Sequence, residues 1–234
     1  ADLVTAMVGE FPSLQGKIGR LYAQLSQEDS VVSEALFEQY LPGSASDVFP
    51  QTEAGFILGL VDRVDSMVAL FYGGVKPTGS QDPLGLRRAA NGVFGVLADR
   101  NVRCDIWAFI DYAYTLLGAE PLHRDRLELF VEARMKSVLK ELGLPYDVTD
   151  AVYQLACHDM AMAYQMGIEL DKQRHDAPDR FKTLVETAVR VKRLAVKAPE
   201  GEVQDQLFLL DIERSVYQEV DRVQEQSQEK SLLP

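Results

Sequence analysis

Apolar residues in this chain recur at intervals of three and four, and that spacing restricts the fold more than any other feature of the sequence. In SVVSEALFEQYL, Leu36, Tyr40 and Leu41 follow Val32, and in GFILGLVDRVDSMVALF the same interval links Leu58, Val61, Met67, Val68 and Phe71. Such spacing gathers side chains on one face of an α-helix. No Val/Ile/Thr alternation over four or more residues with flanking turns occurs, so no segment reads as a strand. The pattern predicts an all-α chain. Asp82-Pro83 reads as an N-cap followed by proline at the first helical position, where the missing N–H costs nothing. Asp147-Val148-Thr149-Asp150 reads as a capping-box-like start. Breaks fall at 42–50, 73–82, 118–121, 143–146 and 198–201. The spacing predicts a domain boundary near residue 118, and one long Glu/Gln-rich helix from Glu202 to Lys230.

The 234 residues, 47% of them hydrophobic, are enough for one large domain or two medium ones. No window approaches the roughly 18 uninterrupted apolar residues that a membrane span requires. The opening ADLVTAMVGEF lacks an initiator Met, a basic n-region and a cleavage pattern. It reads as the interior of an apolar helix, as expected for a piece of something longer. Cys104 and Cys157 form no disulfide framework, and no C-x-x-C or H-x-x-x-H spacing supplies a zinc cluster. A reducing compartment is the simplest inference.

A formal net charge of −12 argues against non-specific nucleic-acid binding by the whole surface. Charge is uneven, however. Residues 172–197 carry eight Lys/Arg against three Asp/Glu, a net of +5, and residues 200–230 carry nine acids against three bases, a net of −6. Such a pair reads either as an ion-paired helix hairpin or as a nucleic-acid face. Asp62 and Asp65 lie three apart on a helix that reads as mostly buried, so they call for a metal or for arginine partners. Arg87 and Arg88 are the obvious donors. His158 and Asp159 are adjacent and point about 100° apart, so they do not converge on one ion. There is no G-x-S-x-G, P-loop or dinucleotide fingerprint.

Three segments, ADLVTAMVGEFPSLQGKIGRLYA (1–23), DRVDSMVALF (62–71) and PTGSQDPLGLRRAANGV (77–93), resemble the β-subunit of the bacterial heterotetrameric glycyl-tRNA synthetase. The P-T-G-S-x-D-P-x-x-L-R-R-x-A-x-G run is the most specific of them. The likeness is firm over 1–98, looser through 130–152 and faint through 181–197. It implies a helical HD-like domain over 1–118 and a helical, partial anticodon-binding-like region over 119–234. The HD superfamily holds a metal with His-Asp and a distal Asp. Here Ala1 stands in place of the His, Asp2 matches the dipeptide's Asp and Asp62 the distal one, so the resemblance implies a degenerate site without metal or phosphohydrolase chemistry.

The resemblance further implies that this chain carries no catalytic residue and no cofactor of its own, ATP and magnesium being used by the α-subunit. Its partners would be tRNA(Gly) and the α-subunit or the remaining β-subunit modules, with no membrane and no DNA. It would act in the bacterial cytoplasm, or in an organellar stroma or matrix. Within that frame Arg88 is expected to pair inward with Asp62 or Asp65, and Arg87 to face an RNA phosphate. Arg190, Lys192 and Arg193 are the expected contacts in the basic stretch. A second reading makes the chain a truncated synthetase-derived scaffold without tRNA function.

Overall fold

A computed structural model describes residues 2–44, 47–75, 77, 82, 84–118, 120, 122–196 and 208–231, with side chains of the last segment described through 222. Eleven α-helices and no strand are found among the described residues, so the fold is all-α. None of these helices is long and apolar enough to cross a membrane. Residues 1–178 form one compact unit and 179–234 a second.

The first unit begins with three short helices, α1 (Ala6–Glu10), α2 (Lys17–Leu25) and α3 (Ser30–Glu38). Thr5 caps α1 and Asp29 caps α3, each accepting a backbone N–H with its side chain. The longer helices are α4 (Glu53–Tyr72), α5 (Leu86–Asp99), α6 (Ile106–Leu116), α7 (Arg124–Glu141), α8 (Tyr146–Ala156) and α9 (Met160–Asp176). Helix α5 is their centre. Ala90, Val93, Phe94 and Leu97 are each at most 1% exposed, and α5 packs against α4, α7 and α9. Around it lie Val64, Met67, Val68 and Phe71 of α4, Ile106 and Ile110 of α6, Leu127, Val131, Met135 and Leu139 of α7, and Met160 and Ala163 of α9. The core therefore crosses residue 118 without interruption. The expected boundary there is only a turn, closed by Gly118 at φ +63°, and the division between compact units falls after Pro178 instead.

Helix α4 also corrects the sequence reading of its buried face. Met67, Val68 and Phe71 are buried as the spacing predicts, but Leu58 and Val61 are exposed. Buried Phe56 and half-buried Arg63 take the inner side of the N-terminal half. The starts of α5 and α8 differ as well. Helix α5 begins at Leu86 behind Gly85, whose φ of +68° suits glycine. Asp82 still caps it from further upstream, accepting the N–H groups of Arg87 at 3.1 Å and Arg88 at 3.3 Å. Pro83 lies outside the described residues. Helix α8 begins at Tyr146 behind Pro145, and Asp147 and Asp150 pair instead with Arg174 and Lys136.

One buried carboxylate joins α3 to α4. Glu38, 6% exposed, accepts the N–H of Gln51 at 2.8 Å, the N–H of Thr52 at 3.0 Å and the Thr52 hydroxyl, while Thr52 itself caps α4. Burial alone would raise its pKa, but these hydrogen bonds and the nearby Arg100 charge outweigh burial and hold it below the ordinary glutamate value. A depressed folded-state pKa gives stability that is present above the unfolded value, about 4.3, and lost as pH falls through the folded value. The urea midpoint of the chain is therefore expected to fall as pH is lowered through and below that range. Glu38→Gln should lower the midpoint at neutral pH and flatten the acid dependence. An unchanged pH profile in the variant would show that the Glu38 carboxylate does not link stability to pH.

The second unit holds α10 (Pro178–Ala195) and α11 (Asp211–Ser231). Asp179 in the first turn of α10, with Lys192 and Arg193 in its last, complements the helix dipole. Glu213 begins α11 by accepting the N–H groups of Leu209 and Leu210, both at 2.8 Å. The expected long tail helix thus starts at Asp211, and 197–207 lie outside the described residues.

Candidate nucleic-acid interface

The strongest cationic display is on α10. No residue of this helix is buried. Arg190 and Arg193, one turn apart, share a side, and Lys192 projects about 200° around the axis from Arg190. Among the described residues no carboxylate is paired with Arg190, Lys192 or Arg193. Of the other bases of α10, Lys182 lies 4.0 Å from Glu186. Lys192 and Arg193 border a shallow depression of about 400 Å³ with Val189 and Val196. The arrangement offers unneutralised donors beside an apolar strip, a combination that fits phosphates flanking exposed sugar or base surface.

The adjacent arginines of α5 are placed the other way round from expectation. Arg88 is the exposed one, with its side chain 69% accessible and its Nε 3.6 Å from Asp82. Arg87 is half-buried. The roughly 100° between them was legible in the sequence, but the rotation of α5 about its axis was not. That rotation is set by Leu86 and Ala90, both buried, which turn position 87 toward the protein.

Asp62 and Asp65 do not meet these arginines. Both are exposed, with no ion-pair partner among the described residues. Asp62 lies on the side of α4 opposite Val64, Met67, Val68 and Phe71, which explains its exposure. Asp2 is 2% exposed and serves as an anchor. Its Oδ2 accepts the N–H groups of Gly16 at 2.7 Å and Gly19 at 2.9 Å, which open α2. The Tyr40 phenol faces the same carboxylate, and burial followed by the Asp2 contact raises its pKa. Asp2 thus stabilises a helix N-terminus, the arrangement that favours a carboxylate there. Asp159 is also structural. It caps α9 through Met162 N–H at 2.8 Å and pairs with Arg103. Among the described residues no group of three or more His, Cys, Asp or Glu converges on one point.

Sequence reasoning passed over Arg63, Asn91 and Gly92. The Arg63 guanidinium donates to the carbonyls of Gln39 at 2.9 Å, Gly59 at 3.0 Å and Leu41 at 2.8 Å, and burial lowers its pKa. It crosses α5 where Gly92 leaves room: a Cβ there would sit 2.8 Å from Arg63 Nε. The run RRAANG carried the signal, because Arg88, Asn91, Gly92 and Gly95 fall at helical spacing on one face.

The described residues thus form an all-α chain with one exposed helix that displays Arg190, Lys192 and Arg193. Comparison with known proteins assigns it more narrowly. The family described as glycyl-tRNA synthetase beta subunit matches residues 1–154. The glycine–tRNA ligase beta subunit of Clostridioides difficile (strain 630) is 40% identical over 229 residues, covering 95% of this chain and 33% of the relative. That of Shouchella clausii is 38% identical over 207 residues, 86% of this chain and 30% of the relative. An Acinetobacter baumannii counterpart is 36% identical over 234 residues, 95% and 33% respectively. This chain belongs to the glycyl-tRNA synthetase beta subunit family, and it spans about a third of the length of the curated relatives it matches.

Proposed function

We propose that this chain is a tRNA-positioning part of a bacterial glycine–tRNA ligase β-subunit, supporting the attachment of glycine to tRNA without contributing a reacting group. The observation that carries the reading is the display of Arg190, Lys192 and Arg193, exposed and unpaired among the described residues, on a chain of this family. Arg190 and Arg193 on one side of α10, with Lys192 on the other, offer cations for phosphate contacts on an otherwise acidic chain. Arg88 adds an exposed guanidinium on the rigid α5, in the role first expected of Arg87. The adenylation step, with its ATP and magnesium, would rest with the α-subunit, and the setting would be the bacterial cytoplasm.

Filter binding of tRNA at several salt concentrations tests this. The expected result is a linear fall of log K with log salt, its slope set by the number of phosphates contacted. Weak binding indifferent to salt would favour the scaffold reading instead. The exposed Leu3, Val4, Met7 and Phe11 support that reading, since four exposed large apolar side chains within nine residues offer a protein contact.

A further inference from the structure

Helix α10 bears its cations beside an apolar stripe that stands open. Val185, Val189 and Val196 fall within about 40° of one another around the axis, and all three are exposed. Lys192 flanks the stripe on one edge and Arg193 on the other. These two, with Val189 and Val196, line the depression of about 400 Å³, so its apolar floor has cationic rims. Helix α11 carries the counterpart. Ile212, Val216 and Val220 recur every fourth residue on one side, all exposed, with Glu213 at the edge of their stripe. The Leu209 and Leu210 N–H groups both bond to Glu213 Oε2, which leaves Oε1 for a further donor. The charges match as well, +5 over 172–197 against −6 over 200–230. From this complementarity we infer that α11 is a strap that closes on the valine side of α10 within the same chain and competes with RNA for Arg193.

The two helices belong to the second unit and are joined by 197–207, a longer connection than the roughly 2–5 residues with which antiparallel helices are commonly linked. The connection also sets the register. Counted outward from it, Val189 and Val216 lie about equally far along their helices, as do Val185 and Val220. An antiparallel pair therefore sets valine against valine and brings Glu213 and Arg193 together on one edge. Covering the two stripes supplies most of the closing force, because apolar surface leaves water on both helices. The exposed Glu213–Arg193 pair adds little to that force. Its role is competition, since a guanidinium held by a carboxylate is not offered to a phosphate. Arg190 lies about 120° from the centre of the valine stripe and stays open in either state. Closed, the helix keeps an RNA contact at Arg190; open, it gains one at Arg193. The competition rests on the proposed tRNA role, whereas the closure itself does not.

Closure is tested by crosslinking. Val189→Cys/Val216→Cys is made with Cys104→Ser/Cys157→Ser, so that the introduced thiols are the only pair, and is oxidised mildly. A disulfide within one chain is expected, read on a non-reducing gel. Val189→Cys/Ser215→Cys, whose second thiol points about 100° away, should crosslink far less. Equal crosslinking of the two pairs, or none, overturns the strap. A band of twice the mass places α11 on a second copy and overturns closure within the chain. Competition is tested by tRNA titration at low salt with the native cysteines in place. Glu213→Gln is expected to tighten binding about three- to fivefold, the most that an exposed ion pair allows. Asp221→Asn removes the same charge from the far side of α11 and should change binding less than about 1.5-fold. Equal tightening by both would report net charge alone and overturn the competition. If tRNA does not bind the unsubstituted chain, the proposed tRNA role fails and the competition with it, while the crosslink still decides whether α11 closes on α10.

Discussion

Phe71→Ala is expected to lower the stability of the first unit by about 3–5 kcal/mol, the usual cost of emptying an aromatic core position. Phe71 is 1% exposed, and its ring centroid lies 5.2 Å from that of Phe130. The pair joins α4 to α7 across residue 118. The substitution removes both the transferred apolar area and a tilted aromatic contact. Its effect should spread to both sides of 118, because one core serves α4 to α9. Hydrogen exchange followed by mass spectrometry can resolve this. Peptides from α5 and from α7 are expected to lose protection together and by similar amounts. Loss confined to residues before 118 would mean that two cores, not one, support this part of the chain.

Arg63→Met should cost about 3 kcal/mol, for a different reason. Hydrogen bonds from a charged donor contribute roughly 1.5–3 kcal/mol each, and the carbonyl acceptors left behind pay their desolvation. Arg63 reaches the carbonyls of Gln39 and Leu41 from α4, tying the end of α3 and the turn after it to the core. Methionine fills comparable space but donates nothing. Urea unfolding measures the loss, and a change under about 1 kcal/mol would show that water satisfies those carbonyls equally well.

Helicity was legible throughout the sequence because the three-and-four spacing has no strand-like competitor. The orientation of individual helices was legible only in part. The N-terminal half of α4 is apolar nearly all round, with Ile57, Leu58 and Val61 exposed beside buried Phe56, so its spacing does not single out the inner face. Arg87 and Arg88 show the same limit, since neighbours about 100° apart are distinguished only once packing fixes the rotation of the helix. Gly118 marks a turn, and sequence punctuation of that kind does not separate a turn from a domain edge. The actual division has no Gly/Ser linker, because only Ala177 stands between α9 and α10. The cations of α10 were readable from composition alone.

The claim that cationic side chains of this chain grip RNA is tested most directly by the salt dependence of tRNA binding in Arg190→Gln/Lys192→Gln/Arg193→Gln. If the three side chains neutralise phosphates, the slope of log K against log salt should become shallower by about two to three, at roughly 0.7–0.9 for each phosphate no longer neutralised, with affinity falling at low salt. A slope and affinity equal to those of the unsubstituted protein would contradict the account.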